Sequence, residues 1–131
     1  MSPDPHRPTP SIVERAGHSL FLEAVTRQGR VYGFPLAQVV NYLLEANPDL
    51  ELDAQAPPER FSLWFSTHDV LLLGWRLDHL RQLLRKGQSF TVTAADPRYL
   101  NVKPKECFVA EVIVLNAGTA QPSSISPPLF P

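Results

Sequence analysis

The chain has 131 residues, 44% of them hydrophobic, with 12 basic and 13 acidic side chains for a net charge of −1. That length suits one domain around one core, and the absence of net positive charge argues against nucleic acid as the default partner. A single cysteine, Cys107, excludes an intrachain disulfide and points to a reducing compartment.

The first ten residues, MSPDPHRPTP, hold four prolines and no apolar run. Residues 1–11 are therefore expected to be a solvated tail, since proline donates to neither helix nor sheet ladders. The same stretch lacks the apolar segment of a secretory signal, and no run in the chain is long enough to span a bilayer. A soluble, cytoplasmic protein that does not enter membranes is expected.

In SLFLEAVT, Leu20, Leu22 and Ala24 alternate with Phe21, Glu23 and Val25, a period of two that predicts a strand. Gln28–Gly29 supplies a turn, and RVYGF a second strand. Pro35 then stands where a helix can begin, and Leu36, Val39, Val40, Leu43 and Leu44 line one helical face. Asn47–Pro48 ends that helix, because the residue before a proline disfavours the helical region. Asp49, Glu51 and Asp53 follow at alternate positions. A calcium loop would need glycine at its sixth position and glutamate at its twelfth, where Ala54 and Arg60 stand. The stretch is read as a linker or a short acidic edge strand.

Phe61, Leu63 and Phe65 alternate with Ser62, Trp64 and Ser66 to give a third strand, and VLLLG a fourth, buried one. Leu77, Leu80 and Leu84 then give a second helix its apolar face, with Leu83 at its edge. Its Asp78 lies in the first turn, Arg85 and Lys86 in the last, and Gly87 follows as a left-handed cap. SFTVTAA and CFVAEVIVLNA predict a closing hairpin joined by the long loop Ala95–Glu106. Residues 117–131, rich in proline and serine, are expected to form a second tail after a single domain of residues 12–116.

The predicted fold class is α+β: an antiparallel sheet with two helices on one face, in the order ββα-ββα-ββ. Aligning Ser19–Glu45 with Arg60–Lys86 matches Leu22 with Leu63, Thr26 with Thr67, Gly33 with Gly74, Leu36 with Leu77 and Leu43 with Leu84. These identities raise an internal duplication, in which two helices side by side cover one sheet.

With Leu20, Leu22, Phe61, Leu63, Phe65, Phe90 and Val92 turned to the helices, the other face carries Phe21, Val25, Trp64, Val109 and Ile113, with Glu111 beside them. A solvated sheet face seldom bears a tryptophan among aliphatics, so this face is expected to bind protein, with a homodimer as the first reading. The alternative is a nucleic-acid or acidic-partner surface built from Arg81, Arg85 and Lys86 on the second helix and Arg98, Tyr99, Lys103 and Lys105 in the 95–106 loop. A third reading is an enzyme with a site near His68 and Asp69, or one pairing Cys107 with a histidine. No nucleotide-binding, hydrolase, zinc or redox motif supports that reading, and no cofactor or metal is expected.

Overall fold

In the computed structural model the described residues are 12–15, 20–102 and 106–118, of which 12–15 and 101–102 are described by backbone alone. The expected solvated tails, residues 1–11 and all of 117–131 except Ala117 and Gly118, lie outside them. Among the described residues eight strands and one α-helix follow in the order β1 (Ile12–Arg15), β2 (Phe21–Val25), β3 (Val31–Pro35), β4 (Val39–Ala46), β5 (Glu59–Phe65), β6 (His68–Trp75), α1 (Asp78–Lys86), β7 (Ser89–Thr93) and β8 (Phe108–Asn116).

The strands form two four-stranded sheets, ordered β1-β7-β2-β3 and β4-β5-β6-β8. The first is mixed, because β7 runs parallel to β2 and antiparallel to β1. The second is antiparallel throughout. One core lies between them. Leu22, Ala24, Phe90 and Val92 enter it from the first sheet, and Phe61, Leu63, Phe65 and Leu72 from the second. The period-two rows of β2, β5 and β7 thus set which side chains are buried. Leu20, just before β2, is 38% exposed and does not join them.

The single helix connects β6 in one sheet to β7 in the other and adds Leu77, Leu80 and Leu83 to the same core. Its first backbone N–H groups need partners from outside the helix. Glu59 supplies one, its Oε1 accepting from Leu77 N–H at 2.7 Å. At the other end Gly87 adopts φ 66°, and the N–H groups of Gly87 and Gln88 close on the carbonyls of Leu84 and Leu83. A left-handed residue here is least strained as glycine.

The expected ββα-ββα-ββ layout is overturned in three places. Residues 35–44 are not a helix. Pro35 closes β3, Leu36–Gln38 make one 3-10 turn, and Val39–Ala46 run as a strand against β5. The apolar spacing of this stretch satisfies either reading: as a strand, Tyr42 and Leu44 share a face with Leu63 and Phe61. Adjacent β-branched Val39 and Val40, then Asn41 and Tyr42, tip it toward extended backbone. A cross-strand ion pair pins it, Arg60 Nη2 to Glu45 Oε2 at 2.7 Å with both side chains largely shielded.

The closing hairpin is the second correction. β7 and β8 lie in different sheets, and Ala95 N–H bridges them by donating to Val109 O at 3.0 Å. The third is the duplication. The aligned segments place their hairpins in different sheets, and one ends in β4 where the other ends in α1.

Asn47 organises the acidic linker. It is buried, its N–H donates to Pro58 O, its Nδ2 donates to Pro57 O, and its Oδ1 accepts from Asp49 N–H. The segment Pro48–Glu51 is therefore a capped 3-10 turn rather than a strand.

Candidate functional site

The outer face of the β4-β5-β6-β8 sheet can be read residue by residue from its register. Side chains that alternate with the core row point outward. One outward row crosses all four strands as Leu43, Ser62, Leu71 and Ile113. The row on one side of it is Asn41, Trp64, Asp69 and Leu115. On the other side it is Glu45, Arg60, Leu73 and Glu111. An apolar middle is thus bordered by a charged end and by an indole end.

Ser62 and Asp69 are each only 1% exposed, although they lie on this outer face. Beside Trp64 the face opens into a depression of about 630 Å³, lined by Val40, Tyr42, Leu43, Phe65 and Asp69 among others. α1 lies on the core side, so among the described residues no helix covers this face.

The five residues expected on one interface are not brought together. Phe21 and Val25 belong to β2, in the other sheet, and point away from the core on the far side of the molecule; Phe21 is 42% exposed. Val109 is fully buried in the core. Its displacement has a local cause. Leu73 pairs with Glu111, but Gly74 pairs with Val109, so Ala110 is an extra residue in β8. A β-bulge of this kind shifts side-chain parity by one. Upstream of it Val109 points in; downstream Glu111 and Ile113 point out. Trp64 and Ile113 alone share a face as expected.

Leu43, Ser62, Leu71, Leu73 and Leu115 are the members that sequence reasoning missed. The helical reading of Leu36–Leu44 hides Leu43. Leu71 and Leu73 were absorbed into a strand read as buried on both sides, although a period of two runs through VLLLG once Gly74 is fixed as the bulge partner.

The cations of the alternative surface are partly engaged. Arg81 Nε binds Asp78 Oδ1 at 2.6 Å, and Arg98 Nε lies 3.2 Å from Asp96 Oδ2, with its guanidinium 5.4 Å from the Tyr99 ring centre. Hydrogen bonds from Arg81 and Gln82 hold the Asp78 carboxyl below its usual range, and Asp78 in turn raises Arg81. Asp96 is lowered first by the Arg98 backbone N–H. Arg85 and Lys86 stand exposed in the last turn of α1. Lys103 and Lys105 lie outside the described residues.

His68 and Asp69 do not form a pair. Consecutive strand residues face opposite ways. The His68 ring meets Phe34 at 5.5 Å on the core side, while Asp69 lies in the outer row with Trp64. Cys107 precedes β8 at one end, and His68 pairs with Asn116 at the other, roughly 30 Å away at ~3.4 Å per residue. Burial is the main cause that pushes the Cys107 thiol up to about 12. With so little thiolate, alkylation by iodoacetamide at pH 8 should run about 1,000-fold slower than for the unfolded chain; a rate near that of a free thiol would contradict the burial. The sign for stability follows: the folded protein holds this proton where the unfolded chain has lost it, so the contribution is full below pH 9.0 and falls as pH rises toward 12.

Among the described residues no three His, Cys, Asp or Glu side chains converge to hold a metal ion, and no helix is long and apolar enough to cross a membrane. No protein-family model, characterised protein or solved structure matches the chain.

Proposed function

We propose that this chain is a non-enzymatic binding and assembly module that associates with a second copy of itself through the outer face of the β4-β5-β6-β8 sheet. The observation that carries the reading is the grouping of Leu43, Leu71 and Ile113 in one outward row, around the buried Ser62 and flanked by Trp64. Apolar side chains grouped on a sheet face gain free energy by leaving water together. At the charged border Arg60 is already paired with Glu45, which leaves no lone cation among the described residues there to attract a phosphate chain.

The size of the face sets the strength. Four strands ~4.8 Å apart and three same-face positions ~6.7 Å apart give about 400 Å² of flat face per copy. That is at the low end for specific contacts, so a reversible dimer with Kd on the order of micromolar is expected. Leu71→Glu, or Trp64→Glu independently, should raise that Kd by at least about 100-fold in sedimentation equilibrium, since the first places a charge in the middle row of the contact and the second replaces its large aromatic anchor with a charge. A wild-type chain that stays monomeric at about 1 mM, or variants that associate as tightly as wild type, would overturn the reading.

A further inference from the structure

Among the described residues the outer edge of β4 has no strand partner, and it is the second feature of this sheet that calls for an occupant. Asn47 N–H donates to Pro58 O, which fixes the direction of the backbone groups at the end of the strand. In an antiparallel pair those directions alternate. Asn41, Leu43 and Glu45 therefore turn their N–H and C=O groups toward β5, and Tyr42, Leu44 and Ala46 turn theirs away. Among the described residues β4 pairs with β5 alone.

Edge strands are normally guarded by proline, lysine, bulges or shortness. β4 is eight residues long and contains neither proline nor lysine. Its one irregularity sits between Val39 and Asn41, outside the span Tyr42–Ala46. Its acid, Glu45, projects from the outer face and is held by Arg60.

We propose that this edge pairs antiparallel with the β4 edge of a second copy, about a two-fold axis at Leu44. That register is the one in which the three outward residues meet themselves: Leu44 opposite Leu44 of the second copy, and Tyr42 opposite Ala46 in both directions. The pairing sets a large exposed side chain against a small one and puts no two like charges directly opposite. The two-fold makes the contact self-complementary. It joins two four-stranded sheets into one of eight strands and sets their outer faces side by side. This contact is distinct from the face contact proposed above, and the two can coexist.

Amide exchange in the full chain carrying Trp64→Glu tests it, because that substitution removes the face contact and leaves the edge. The N–H groups of Tyr42, Leu44 and Ala46 should exchange about 3- to 7-fold more slowly at about 1 mM protein than at about 20 µM, the free fraction of a dimerising chain changing at most as the square root of the dilution, while those of Asn41, Leu43 and Glu45 stay the same. Equal rates for the outward three at both concentrations, fast or slow, would overturn the proposal without touching the face contact. Ala46→Pro gives an independent check. It deletes an N–H that points away from β5, so the sheet itself loses no bond. Added to the wild-type chain, it should reduce the limiting mass in sedimentation from more than two copies to two; an unchanged limiting mass would overturn the proposal.

Discussion

Gly74→Ala is expected to destabilise the protein by about 3 kcal/mol or more in chemical denaturation, from a single added methyl group. A Cβ at this position would collide with Phe108 O and come within 3.0 Å of Phe108 C and Val109 Cα. All are backbone atoms, so no rotamer change can make room. β8 would have to withdraw from β6 where the bulge sits, taking with it the edge-on contact of Trp75 with Phe108 at 5.9 Å and the Ala95–Val109 hydrogen bond. The bulge is also what turns Val109 into the core and Ile113 out of it. A variant that relieves the clash by removing the bulge would bury Glu111 or expose Val109, and each costs more than the methyl group returns. Gly33→Ala is the control. An added Cβ there comes no closer than 3.9 Å to the Phe21 ring, so a change within about 0.5 kcal/mol is expected. A small loss for Gly74→Ala would mean that the two strands are not held this close.

The contrast between these glycines shows what could be read from the sequence. They align in the two similar segments, and nothing in either segment distinguishes them. Only the strand that arrives from residues 108–109 makes one of them indispensable. Local alternation was enough to orient β2, β5 and β7, because a half-buried strand writes its buried face every second residue. The helix α1 was legible for the same kind of reason: leucines at helical spacing, an acid at its start, two bases at its end and a glycine after it. The stretch from Val39 to Ala46 was not, because its leucines and valines fit both periods. Its strand conformation is decided by β5, which lies 13 residues beyond its end. Splitting the strands into two sheets is a still more distant decision. β7 is drawn to β2 across 63 intervening residues rather than to β8, its neighbour in sequence. The candidate site inherits those limits. Trp64 and Ile113 needed only strand parity, together with a bulge that left Ile113 on the outward side. Phe21 and Val25 needed the sheet assignment, and Val109 needed the bulge.

Phe61→Ala is expected to cost about 3–5 kcal/mol, a large share of the stability of a domain this size. Phe61 is fully buried in β5 and pairs with Leu44 on one side and Leu72 on the other. Its ring receives Tyr42 edge-on at 5.7 Å. The core around it is shared by both sheets and by Leu77, Leu80 and Leu83 of the helix region, so the neighbours cannot collapse into the space without moving whole elements. The loss should not be uniform. Among the described residues β4 has one strand partner, β5, and its Tyr42 and Leu44 share the core-side face of the sheet with Phe61 and Leu63. Removing the ring takes away the aromatic partner of one and the opposite member of the other. Amides of Asn41, Leu43 and Glu45, bonded to β5, should therefore lose more protection than those in the centre of β6, which keeps partners on both sides. Equal loss across both strands would mean that β4 is held from its outer edge as well, in the monomer, by something other than β5. That result would also leave the edge contact with a second copy no room to form.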